Sequence, residues 1–316
     1  MFKHIVLRNA AQQRLVKARK AARDAEVRRA RAWRDKQLKA NLATKLSTPK
    51  SLGEDDMSEG ILKEWKRRGF TELPVLTFEE LMDFQFVKGL GKGCHGTASL
   101  VACDETNLVL KLAAMDEDVD DYELEAKLHM IAGGAGGTPV LKGLCRKPLA
   151  LLMSFVGHQN IGEYISQNPP DTRASYNILS SVAYELQKLN ETKIIHNDLK
   201  PDNILIQDMD NGIKINIIDL GLSGISGRHL PVDPEDEKTF PWMCPLLFRG
   251  GSYSPATDLY SFIYLVQICM DSVIADNTVK EAVMRLVADT KRRIVDNENC
   301  PDYPSVLADL KEILKA

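Results

Sequence analysis

The stretch Ile195-His196-Asn197-Asp198-Leu199-Lys200-Pro201-Asp202-Asn203-Ile204-Leu205 places an acid and an amide five residues apart on one loop. The two side chains can divide a task. A carboxylate such as Asp198 can take the proton of a substrate hydroxyl, and the amide oxygen of Asn203 can coordinate a hard metal ion. A second acid, Asp219, closes the apolar run Ile217-Ile218 and is followed by Leu220-Gly221. A carboxylate there can ligate a Mg²⁺ ion that bridges phosphate oxygens. A loop reading HNDLKPDNIL with IIDLG downstream is improbable as a chance sequence.

Upstream, Gly91-Lys92-Gly93-Cys94-His95-Gly96 is a GxGxxG run. Alone it also fits dinucleotide-binding folds, where it joins a strand to a helix. Here Thr97–Val101 continues as strand, so the glycines bridge two strands and let backbone N–H groups approach phosphates. Lys111 follows 20 residues after Gly91, within the apolar run LVLKLA. A lysine leaving a strand for a cleft needs a partner: it pairs with a carboxylate and a phosphate, or it is an ordinary edge-strand lysine. The next helix offers Glu123 and Glu125, and Glu125 is preferred because Leu128 then follows one turn later on the same face.

These residues resemble the eukaryotic protein kinase family over about residues 84–316. The resemblance implies that Gly91, Gly93 and Gly96, with Lys92 between them, form the phosphate-binding loop. Lys111 contacts the α/β-phosphates and pairs with Glu125; Asp198 is the catalytic base; Lys200 stabilises the γ-phosphoryl group; Asn203 and Asp219 hold Mg²⁺. LLMSFV is similar to the hinge, with Met153 as gatekeeper and Phe155 and Val156 near the adenine edge. Ala98, Val109 and Leu205 complete the ATP pocket, and Asp258 anchors the catalytic loop backbone. Lys238-Thr239-Phe240-Pro241-Trp242-Met243-Cys244-Pro245-Leu246 aligns with the segment that ends in Ala-Pro-Glu. That puts Thr239 where Ser/Thr kinases bond the base and the catalytic lysine. With Asp-Leu-Lys-Pro in the catalytic loop, it implies Ser/Thr hydroxyls of proteins as acceptors and ATP with Mg²⁺ as co-substrate and cofactor.

The chain departs from the family at several positions. Asn197 stands where many kinases have the Arg that receives an activation-loop phosphate, so Asp219–Pro245 is expected to be placed without that signal. Ala98 and Val109 exchange volumes relative to the usual Val and Ala, which would keep the pocket filled. DLG replaces DFG. Leu246 replaces the glutamate that pairs with a C-lobe arginine, for which Arg293 is best placed, and with 58 residues after Asp258 the last helices are expected to be abbreviated.

The 316 residues are 44% hydrophobic and 27% charged, as in globular proteins. The formal charge of −3 conceals an asymmetry: residues 1–50 hold 15 Lys/Arg against three acids, a net of +12, so the rest carries −15. The longest apolar runs, about Leu149–Val156 and Phe262–Met270, fall short of a membrane span. Without an apolar leader, an intracellular location is expected, cytoplasmic or nuclear. The six cysteines show no CxxC spacing and are expected to be reduced thiols without a zinc site. The oligomeric state is not legible. Residues 8–42 favour helix but lack a sustained apolar stripe. A basic arm of this kind suits nucleic acid or another polyanion, a nuclear import signal, or a charged arm lying on the acidic body.

The expected fold is α+β and two-lobed, a small β-rich N-lobe (about 84–153) and a helical C-lobe (about 157–316). It is preceded by the arm (1–50) and a linker with a short helix, Ile61–Gly69, ending at a glycine cap (51–83). Strand candidates are Phe84–Val87, Thr97–Cys103, Leu108–Ala113, Leu149–Val156, Ile204–Gln207 and Ile213–Ile218. Helix candidates are Asp120–Ile131, Ala174–Leu189, Thr257–Met270, Val279–Val287 and Pro304–Leu314. Two other functions remain open: a small-molecule kinase, which shares the His-x-Asp and Asn spacing, and a pseudokinase scaffold that binds partners without transfer.

Overall fold

A computed structural model describes residues 52–92, 96–114, 119–210, 212–229, 234–273 and 275–315. The basic segment 1–50 and Gly93 lie outside the described residues.

The N-lobe is a five-stranded antiparallel sheet in the order β1-β2-β3-β5-β4. Its strands are β1 (Gln85–Lys92), β2 (Gly96–Cys103), β3 (Thr106–Ala113), β4 (Leu141–Arg146) and β5 (Leu149–Ser154). Asp104, at φ 52°, sits in the tight turn between β2 and β3, a conformation Asp tolerates better than most residues. β5 is buried along almost its whole length because both sheet faces are covered. On one face Leu149, Leu151 and Met153 pack with Tyr122 and Ala126 of a helix; on the other Ala150 packs with Leu81 and Leu152 with Val101 and Leu108. A strand covered on both sides reads as an unbroken apolar run, which is why LALLM does not alternate.

Helices α1 (Leu52–Arg67) and α2 (Phe78–Met82) precede the sheet, and α3 (Val119–Ala132) packs on its inner face. The expected linker 51–83 is therefore corrected. α1 runs 16 residues, and its Ile61 and Trp65 enter the main core with Leu128, Ile131, Ile194 and Ile225. It ends in a Schellman turn. Phe70 N–H bonds to Trp65 O at 3.3 Å and Gly69 N–H to Lys66 O at 2.9 Å. Gly69 takes φ 82°, and the Trp65 and Phe70 rings lie 6.0 Å apart. After it, Leu76 N–H and Leu144 O are 2.9 Å apart, and α2 is closed by a capping box between Thr77 and Glu80.

A polar clamp completes the docking of α1. Buried Glu64 accepts from Arg67, Arg68 and Lys193, and Arg68 also donates to Ile131 O at 2.8 Å, at the end of α3. The Arg67 bond leads the effects that hold the Glu64 carboxyl down at about 2, against a smaller opposing effect of burial. Truncating Trp65, 5% exposed, is expected to cost about 3–5 kcal/mol. Denaturant unfolding of Trp65→Ala checks this, and a loss under about 1 kcal/mol would show that α1 is not integral to the fold.

The C-lobe comprises α4 (Ile161–Gln167), α5 (Thr172–Glu191), α6 (Pro245–Phe248), α7 (Pro255–Ser272), α8 (Asn277–Val295) and α9 (Tyr303–Leu314). Two short pairs lie among them: β6 (Ile194–Ile195) with β9 (Gly224–Ile225), and β7 (Ile204–Met209) with β8 (Gly212–Ile217). α5 turns Ile178, Leu179, Val182, Ala183, Leu186 and Leu189 inward. α7 buries Leu259, Phe262, Ile263, Leu265, Val266, Cys269 and Met270, the all-round burial of a central helix. β4 was not anticipated, and α8 extends well past the expected Val279–Val287. Among the described residues no helix is long and apolar enough to cross a membrane.

Candidate active site

Register places Lys111 on the inner sheet face. Lys111 pairs with Ala98 on β2 and Leu151 on β5, and Val109 with Met153. Ala98 and Val109 are thus diagonal neighbours on one face, the arrangement that their exchanged volumes require. α3 packs over this face and brings Glu125 to Lys111. Nζ lies 2.6 Å from Oε1 and 2.9 Å from Oε2 of Glu125, and 2.9 Å from Oδ1 of Asp219. Glu123 turns outward to Arg146 at 2.7 Å. Burial works against the Lys111 charge, but Asp219 and Glu125 outweigh it and hold the ammonium above the ordinary lysine range. Burial likewise opposes the Glu125 charge, and Lys111 reverses it, so that its carboxyl lies below the usual range.

The catalytic-loop candidates are held by α7. Fully buried Asp258 accepts from the backbone N–H of His196 at 2.8 Å and Asn197 at 2.9 Å, and from Asn190 Nδ2 at 2.8 Å. His196 Nδ1 accepts from Asp198 N–H at 3.2 Å, so Nε2 carries the proton and donates to Ile218 O at 3.0 Å. Asn197, at φ 62°, contacts Leu222 O through Nδ2 and Thr257 through Oδ1. The amide that replaces an arginine therefore ties the loop directly to the segment after Asp219.

Asp198 is surrounded by donors. Asn203 Nδ2 bonds to its Oδ2 at 2.9 Å and its backbone O at 2.8 Å. Lys200 Nζ is 3.0 Å from Oδ2 and 3.3 Å from Oδ1. Trp242 Nε1 donates to Oδ1 at 2.7 Å. Thr239 is half-buried nearby with its N–H on Asp236 O, but among the described residues its hydroxyl makes no bond to Asp198 or Lys200. The expected threonine contact is thus replaced by Trp242.

The remaining pocket candidates are spread around these two clusters. Gly91 and Lys92 are exposed at the end of β1, and Gly96 opens β2 at φ 151°. A Cβ at Gly96 would collide with the Leu112 carbonyl, so glycine is required there. Met153 is buried, half-buried Phe155 stacks on His158 at 6.4 Å, and Val156 O accepts from Asn216 Nδ2 at 2.9 Å. Leu205 pairs with Asn216 beneath this segment. Leu246 is half-buried against the core, and Arg293 turns instead to Asn299 O at 2.5 Å.

A β-hairpin with Gly91 and Gly96 in its strands, a strand lysine paired with a helix glutamate, and an Asp/Asn loop anchored by a buried helix aspartate define a phosphotransferase of the protein kinase class. A sequence model described as protein tyrosine and serine/threonine kinase matches residues 84–310. The chain belongs to that family. It is 28% identical over 232 residues to a putative L-type lectin-domain containing receptor kinase V.8 of Arabidopsis thaliana, covering 66% of this chain and 36% of the relative. It is 28% identical to an Aurora kinase of Eremothecium gossypii over 62% of this chain and 54% of the relative. It is also 35% identical to an inhibitor of nuclear factor kappa-B kinase subunit alpha of Danio rerio over 29% of this chain and 12% of the relative. The chain spans about a third of the length of the plant relative and about an eighth of the fish one.

Proposed function

We propose that this chain transfers the γ-phosphoryl group of ATP to Ser or Thr hydroxyls of proteins. The observation that carries the reading is Asp198, a buried carboxylate held by Asn203, Lys200 and Trp242 in a loop whose backbone is fixed by Asp258. Asp198 accepts the hydroxyl proton and orients its oxygen for attack. Lys200 moves toward the transferring group and offsets its developing charge. Lys111, oriented by Glu125, holds the α/β-phosphates. Gly91, Lys92 and Gly96 would cover the phosphates, with Ala98, Val109, Met153, Phe155, Val156 and Leu205 around the adenine.

The donor set suits Mg²⁺, which takes oxygen ligands and commonly binds through one or two carboxylates plus substrate phosphates. Asn203 commits its nitrogen to Asp198, which turns its amide oxygen away, and the Asp219 side chain is 34% exposed. When bound, the ion neutralises phosphate charge; Asn203 and Asp219 would hold it.

Lys200, two residues after the base, supports Ser/Thr acceptors, as do relatives whose names carry that specificity. The test is incubation with γ-labelled ATP, Mg²⁺ and generic acidic and basic proteins, followed by phosphoamino-acid analysis. Label on phosphoserine and phosphothreonine is expected. Label confined to phosphotyrosine would overturn the specificity, and faster transfer to small alcohols than to any protein would overturn the substrate class.

A further inference from the structure

Asp198 has more hydrogen-bond donors than a base awaiting a hydroxyl needs, and they differ in kind. An ionised carboxylate offers about four lone-pair positions on its two oxygens. Trp242 Nε1 occupies one on Oδ1 at 2.7 Å and Asn203 Nδ2 one on Oδ2 at 2.9 Å. Both donors are buried: Trp242 is 4% and Asn203 5% exposed. Lys200 spans the two oxygens at 3.0 and 3.3 Å, longer than a close charge-assisted bond, and its side chain is 22% exposed on a flexible stem. It is the donor that can leave.

The indole is itself anchored. Trp242 O accepts from Ser261 Oγ at 2.6 Å, the Phe240 ring meets it edge-on at 5.6 Å, and the Tyr264 ring lies 6.2 Å away. Ser261 stands one turn after Asp258 on α7, so one helix fixes both the loop that carries Asp198 and the donor that grips its side chain. Lys200 Nζ sits 5.0 Å from the indole centroid, within cation–π range. The same side chain thus gives the lysine a resting place.

We propose that Trp242 positions the base of this kinase: its indole N–H, with Asn203, locks the Asp198 carboxylate in plane from both sides, while its ring holds Lys200 until nucleotide draws the ammonium away. This rests on the reading of Asp198 as the base. When Lys200 turns to the phosphate, a lone-pair position opens on the carboxylate for the acceptor hydroxyl, and the two fixed donors keep the carboxylate from rotating. Trp242 takes the place that Thr239 was expected to fill and acts through Asp198 and Lys200.

The test uses the full chain with Trp242→Phe and with an isosteric tryptophan analogue at position 242 that carries sulfur in place of the indole N–H. Both are expected to lower kcat about 10–100-fold, the scale of a misoriented reacting group, with the KM for ATP within about twofold. The isostere keeps the packing, so its melting midpoint should fall only by what one lost hydrogen bond costs, less than in Trp242→Phe. Wild-type kcat in the isostere would overturn the proposal and leave Trp242 a packing residue, whatever Trp242→Phe does to folding. A readout independent of turnover is the indole N–H resonance of Trp242, assigned by its absence in Trp242→Phe. It should move upfield in Asp198→Asn, and an unmoved resonance would show that the bond does not form. Wild-type transfer by Asp198→Asn is a separate result, which removes the base assignment itself.

Discussion

Asp198→Asn is expected to lower phosphoryl transfer by about 10²–10⁴-fold, the range that a positioned general base supplies, while leaving the Kd for Mg·ATP within about threefold. The size follows from the exchange of an acceptor-only carboxylate for an amide. The variant side chain has one oxygen where Asp198 has two, yet Trp242 and Asn203 approach opposite oxygens. Whichever way the amide turns, its NH₂ faces one of these donors, and a buried donor loses its partner. It can no longer take a proton from a hydroxyl. Nucleotide binding is spared because the phosphate-side groups Lys111, Glu125 and Asp219 form their own cluster, and none of them bonds to Asp198. Single-turnover transfer of label and a nucleotide titration on the same preparation separate the two quantities. Transfer at the wild-type rate would remove Asp198 from the mechanism, and a Kd weakened in proportion to the rate would make it a binding group instead.

The parts of this site that were legible in the sequence are those whose partners are fixed by local spacing. Asp198 and Asn203 sit five residues apart on one loop, which singles them out together, but the bond between their side chains is seen only in the structure. Glu125 over Glu123 was decided by helix periodicity, since Leu128 shares its buried face. Gly69 announced the end of α1 because a Schellman turn needs a left-handed residue there. The beginning of α1 was not legible. Its first residues, LGEDDMSEG, are turn formers and acids by propensity, and the helix is selected by the burial of Ile61 and Trp65 further on and by the Glu64 clamp. Acids early in a helix also suit its positive end, so the run that reads as a linker is compatible with a helix start. β4 was missed because Lys142 and Gly143 interrupt its apolar pattern, and its place depends on pairing with β5 and a bridge to Val75. Trp242 is not legible from local spacing. Its partner lies 44 residues away, and the motif around it directs attention to Thr239.

A second large effect is expected at the other cluster, where charge and burial compete. Lys111→Met removes the cation from Glu125, 4% exposed, and from Asp219. Breaking a buried ion pair by removing one partner costs about 3–5 kcal/mol, so the variant should be markedly less stable at neutral pH, and transfer should fall at least about 10²-fold because the phosphates lose their positioning group. The pH dependence separates this account from general damage. In the wild type the Glu125 carboxyl lies below its ordinary value. It therefore contributes stability that is present above the unfolded-state value, about 4.3, and lost as pH falls through the lower folded value. In Lys111→Met the dominant remaining influence on Glu125 is burial, which raises its pKa. A group whose folded value is raised contributes stability below the unfolded value and loses it as pH rises through the folded one. Between about pH 7 and pH 5 the variant should thus gain stability on acidification relative to wild type, the reverse of the wild-type contribution below the unfolded value. Parallel denaturant titrations across that range measure the difference. A constant gap between the two proteins would mean that Glu125 finds another partner when Lys111 is gone; a gap that narrows with acid, and closes in Lys111→Met/Glu125→Gln, identifies the stranded carboxylate as the source.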